Sequence, residues 1–169
     1  TRSSASVDTC AAPTAASRAD CPDYEGCLFP VETLTLADQL AVAGYTWRAY
    51  AEGMVDGEGR PANCVHPEPG ATEVPAPGAY ASTLNPFVYF HSLLDLGDCA
   101  ANDVPATQLP RDLKQSEKTA NLSFLAPSPC SAGFRGQCPE GTADGPAAAN
   151  AWLEGIVAEI LSSPAYRKD

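Results

Sequence analysis

Apolar side chains along this chain gather in a few short runs separated by stretches rich in Gly and Pro. The first run follows Thr35: Leu36 and Leu40 fall on one face, Thr35 can cap, and Gly44 offers a C-terminal stop, so a short helix is predicted. Next comes YTWRAY, Tyr45 to Tyr50, where Tyr45, Trp47 and Ala49 alternate with Thr46, Arg48 and Tyr50, the period of a strand. Pro86 introduces FVYFHSLL, Phe87 to Leu94, a dense aromatic and β-branched run that predicts a buried strand entering a turn. Asp103 to Lys114 reads as a loop and short helix, with Pro110 placed near a first turn. NLSFLA, Asn121 to Ala126, is the third predicted strand, stopped by Pro127. Ala149, Leu153, Ile156, Val157, Ile160 and Leu161 keep the spacing of an amphipathic helix that Pro146 opens and Pro164 ends.

The connecting segments set the organisation. Thr1 to Asp23 is small and polar with no periodicity, and residues 1–32 are expected to form a cysteine-containing loop or arm ahead of an α/β segment over 33–169. Gly53 to Ala79 is crowded with Gly, Pro and Glu and predicts a long irregular loop. Strands separated by helices imply a mostly parallel sheet covered on its faces. No apolar stretch approaches the ~18 residues of a membrane-spanning helix, and TRSSASVDTCAAPTAASRAD lacks the charged start and apolar centre of a signal peptide.

Composition narrows the chemistry. Much of the 44% hydrophobic content of these 169 residues is alanine, so 5 Phe, 2 Trp and 6 Tyr must supply much of the large buried area. A formal net charge of −11 repels polyanions and argues against a nucleic-acid partner. A small phosphate ester remains possible, drawn by a few placed cations. None of the 7 cysteines sits in a CxxC pair, which favours disulfides and a secreted or extracytoplasmic location over a zinc ribbon. Sequence proximity pairs Cys21 with Cys27, Cys64 with Cys99 and Cys130 with Cys138; Cys10 is left as a free thiol or bonded outside the chain.

The succession TLADQL, TWRAYAE, C-x-HP, NPFVYFHSL, DVP with LPRDL, NLSFLAP and SPAYRKD, from about Cys21 to Asp169, resembles the middle of bacterial phosphoesterases of the acid phosphatase and phosphatidylinositol-3-phosphatase type, within the alkaline-phosphatase superfamily. NPFVYFHSL and SPAYRKD are the most specific pieces. The resemblance implies a partial three-layer α/β sandwich and hydrolysis of a small phosphate monoester assisted by a divalent metal ion. It also implies that the nucleophile and most metal ligands belong to the remainder of the parent polypeptide, so that this segment alone is inactive.

Within that frame, His91 ends the aromatic run, where a parallel sheet would place it at a ligand-bearing edge as a phosphate contact or general acid; the alternative is an imidazole hydrogen-bonded at the core rim. Asn85 before Pro86 is either a substrate contact or turn chemistry. In the family this turn often reads His-Asn-Pro-Phe, and Leu84 stands here for that histidine. CSAGFRGQC, Cys130 to Cys138, resembles a stretch that often reads C-x-D-G-H-D; Phe134 stands at the histidine-like position, and Arg135 can substitute as a phosphate-binding cation or be an ordinary exposed arginine. His66, in CVHPEP, is a solvated loop histidine or a weak candidate metal ligand. A rival expectation of another class is a non-catalytic secreted binding or structural module of the same fold.

Overall fold

The computed structural model describes residues 28–68 and 75–167. The expected arm, Cys10 and the expected Cys21–Cys27 bridge therefore lie outside the described residues, except that Leu28 is buried and Phe29 pairs with Phe90 through an isolated parallel bridge.

Three parallel strands form the centre: β1 (Trp47–Ala51), β2 (Asp103–Pro105) and β3 (Leu122–Ala126), in the order β2-β1-β3. Ala49 lies opposite both Asp103 and Phe124, which fixes the register of all three. Because β1 is the middle strand, both its faces are covered, and its alternating residues feed two separate cores. Trp47 and Ala49 pack with Ala37, Phe87, Val88, Leu93 and Cys99 on one face. Tyr50 packs with Val104, Leu109 and Leu113 on the other.

The helices are short. α1 (Leu36–Val42) starts at a capping box in which Thr35 and Asp38 satisfy each other's backbone N–H groups. It covers the first face with α2 (His91–Leu94) and α3 (Asp98–Asn102), while α4 (Leu109–Leu113), α5 (Pro146–Ser162) and α6 (Pro164–Arg167) contribute to the second. The chain is thus mixed α/β with a parallel sheet between two helical coverings.

Three sequence expectations are corrected. Phe87 to Leu94 is not a strand: Pro86–Tyr89 is a 3-10 helix and His91–Leu94 is α2. Pro86 occupies the first turn and the Asn85 side chain accepts from the Phe87 N–H, so local capping sets a helical path that the apolar run then buries. Second, the expected loop at Asp103 is strand β2, whose Asp and Pro carry no strand signal. Third, α5 turns only part of its predicted apolar face inward: Ile156 and Ile160 pack on the core, whereas Leu153, Val157 and Leu161 are exposed. The sheet beneath is only three strands wide, and one ridge of the helix suffices to cover it.

Two expected bridges are formed, Cys64–Cys99 and Cys130–Cys138. No helix among the described residues is long and apolar enough to cross a membrane.

Candidate functional site

The carboxyl ends of β1 and β3 are tied together by Glu52, whose N–H donates to the Ala126 carbonyl and whose carboxylate accepts from the Ser128 N–H at 2.8 Å. Two loops are thereby held beyond the sheet edge. One follows β3 and is closed by Cys130–Cys138, with Gly133 and Gly136 at positive φ supplying its turns. The other, residues 75–85, crosses Gly53 so closely that a Cβ there would lie 2.9 Å from the Tyr80 nitrogen. The Gly78 N–H donates to the Gln137 carbonyl at 2.8 Å and joins the loops.

Between them lies an open cleft of about 410 Å³ lined by Leu84, Phe134, Arg135 and, around these, Ala81, Thr83 and Pro129. It occupies the place where parallel sheets collect ligands, outside the strand carboxyl ends. The three positions singled out in the sequence, Leu84, Phe134 and Arg135, converge here although about fifty residues separate the first from the others. Arg135 is exposed and forms no salt bridge among the described residues, so its guanidinium is available to an anion. Its stem lies against Gly145, where a Cβ would meet Arg135 Cγ at 3.3 Å.

Asn85 and His91 do not line this cleft. Asn85 is fully buried: its amide nitrogen donates to Asp103 Oδ2 at 2.8 Å and to Tyr80 Oη at 3.1 Å, and Tyr80 in turn donates to the Val65 carbonyl. It joins the 75–85 loop to β2. His91 is also buried, its Nδ1 within hydrogen-bonding distance of Asp95 Oδ1 at 3.1 Å. His91 Nε2 is buried with no hydrogen-bond partner among the described residues. The expected strand tip at His91 is thus the start of a helix beneath the sheet. His66 packs edge-on against Tyr89 with ring centroids 5.8 Å apart.

For the divalent metal that the resemblance implies, the described residues bring together a single group of three possible ligands, Cys64, Cys99 and Asp103. Its two sulfurs are bonded to each other. The oxygen-rich set suited to a phosphoesterase metal is not assembled among the described residues, and His66 does not belong to the group. What the cleft offers by itself is one exposed guanidinium beside apolar side chains.

Asp103 is the residue that the sequence did not single out. It is 0% exposed, and burial pushes its carboxyl up to about 6, the hydrogen bond from Asn85 opposing the rise. A run of Asp-Val-Pro carries no sign that a carboxylate will be enclosed. The signal would have been Cys99 one helical turn before it, on a segment expected to be bridged.

Comparison with protein-family models, with curated proteins and with solved structures finds no match for the chain.

Proposed function

We propose that this chain belongs to a phosphate-monoester hydrolase, in which it supplies the sheet and an anion-binding rim while the nucleophile and metal ligands come from other parts of the parent polypeptide. The observation that carries the reading is Arg135, a cation without an ion pair among the described residues, standing in the cleft beyond β1 and β3. A guanidinium offers two parallel N–H donors to phosphoryl oxygens, and against a net charge of −11 such a local contact is what an anionic substrate requires. Leu84, Phe134 and Pro129 beside it favour an ester whose alcohol portion is apolar.

Hydrolysis of a chromogenic aryl phosphate by the complete parent protein, with and without added divalent metal, tests the proposal. Arg135→Ala is expected to raise KM about 10-fold or more, the worth of a charge-assisted hydrogen bond of about 1.5–3 kcal/mol. Absence of turnover with every metal tried would overturn it. A second reading, a non-catalytic binding module, is favoured by Asn85 and His91, whose polar groups serve internal contacts instead of the cleft. That reading predicts phosphate-ester binding weakened by Arg135→Ala with no hydrolysis at all.

A further inference from the structure

Asp103 opens β2 without solvent exposure, and of its two carboxylate oxygens only Oδ2 is hydrogen-bonded; Oδ1 has no partner among the described residues. Buried carboxylates are ordinarily paired with a cation or bound to a metal. Two sulfurs stand beside this one. Cys99 lies one helical turn upstream, its Sγ 3.9 Å from Asp103 Oδ2. Cys64 is tied to the same segment, its N–H donating to the Asp103 carbonyl at 3.0 Å. One ligand atom from each of the three residues lies within 4.8 Å of the others. Two thiolates and a carboxylate around one centre match the ligand preference of zinc, with the fourth position left to water.

We propose that Cys64, Cys99 and Asp103 form a redox-gated zinc site, closed while the two cysteines are bridged and opened when a dithiol reduces them. The dithiol delivers two electrons and two protons, the S–S bond breaks to two thiols, and the reductant leaves as its own disulfide. Zinc then displaces both thiol protons, and the Asp103 carboxylate supplies the third ligand. The site is separate from the Arg135 cleft and does not depend on the hydrolase reading.

The test uses the full chain, reduced with a dithiol, desalted without oxygen, and alkylated with or without Zn²⁺ before peptide mapping. Cys64 and Cys99 are expected to react at least tenfold more slowly with Zn²⁺ than without it, and Asp103→Ala to lose most of that protection. Equal rates with and without the metal, or full protection in Asp103→Ala, overturn the proposal. Co²⁺ gives a reading independent of thiol access and of that variant's folding. Its thiolate charge-transfer band is expected to survive when Cys10, Cys21, Cys27, Cys130 and Cys138 are all serine, and to vanish when Cys99→Ser is added. A band that survives the Cys99 change also overturns the site.

Discussion

At the scale of single residues, two buried carboxylates on opposite faces of the sheet differ in their surroundings, since among the described residues only Asp112 has cations beside it and Asp103 has none. Asp112 accepts from Tyr50 Oη at 3.1 Å and lies 3.4 Å from Arg48 Nε and 3.3 Å from Arg111 Nε. Burial, together with the Asp112 charge, pushes the Tyr50 hydroxyl up to about 12, which keeps it a donor at every physiological pH. Asp112→Ala leaves Arg48 and Tyr50 without that partner and is expected to cost about 3 kcal/mol in denaturant unfolding, against about 1 kcal/mol for Tyr50→Phe. Among the described residues Asp103 has the Asn85 amide and a disulfide sulfur beside it but no cation, and its folded value of about 6 lies above the ordinary 3.8. Between those two values the folded protein holds more protons than the unfolded chain, so this group's contribution falls as pH rises from about 4 to about 6 and is level above. The full difference is on the order of 3 kcal/mol, and Asp103→Asn is expected to remove it. Urea midpoints of both proteins at pH 4, 5, 6 and 7 check this, since the gap between them should widen in favour of the variant as pH rises. Arg135 is legible in the sequence as a cation in a bridged Gly-rich loop, and the turn role of Asn85 and the core-rim hydrogen bond of His91 are legible as the alternatives to a site role, but their partners are not. The Asn85 partner is 18 positions away in a strand with no strand signal, and His91 is oriented by an Asp one turn later on a helix that the sequence disguises as a strand.

At the scale of elements, what could be read was whatever follows from a single periodicity with a cap or a breaker at its end. α1 begins at Thr35, β1 carries the predicted alternation, β3 stops before Pro127, and α5 runs from Pro146. Phe87 to Leu94 reads as a strand because a mostly apolar run, buried or half-buried throughout, has no clear period to display, so only Asn85 and Pro86 at its start hint at a helical turn. β2 is three residues long, and its place comes from pairing with β1 through the backbone, to which side-chain identity contributes little. Gly53 marks where two elements approach too closely for any side chain. It follows β1 with φ +72°, under the Tyr80 backbone. Gly53→Ala combines an unfavourable backbone region with a 2.9 Å contact to a backbone atom, and is expected to destabilise by more than about 1 kcal/mol. Gly57→Ala, whose Cβ meets nothing within 4 Å, serves as the control in the same thermal melt and is expected to change stability little.

At the scale of the molecule, three strands and short helices make a modest core. Many of its members are small, Ala37, Ala49, Ala51, Ala126 and Ala148 among them, and the large buried area comes from a few residues such as Trp47, Tyr50, Met54, Phe87 and Leu109. Cross-links therefore carry a larger share of stability than in a domain with a thick interior. The two described bridges differ in how much chain they close. Cys64–Cys99 spans a sequence separation of 35 and pins the irregular stretch after β1 to α3, whereas Cys130–Cys138 spans 8 and shapes one loop beside the cleft. If the bridges act chiefly by restricting the unfolded chain, the first contributes about 4 kcal/mol and the second about 2 to 3 kcal/mol. Replacing Cys64 and Cys99 together by serine is thus expected to lower the urea midpoint further than replacing Cys130 and Cys138 together. The second pair should affect the anion binding proposed for Arg135 more strongly, because the loop that presents Arg135 loses its closure. Should the short bridge prove the more stabilising, unfolded-chain entropy is not the main term, and the ordering must come from native packing in the loop around Ser128 and Gly133.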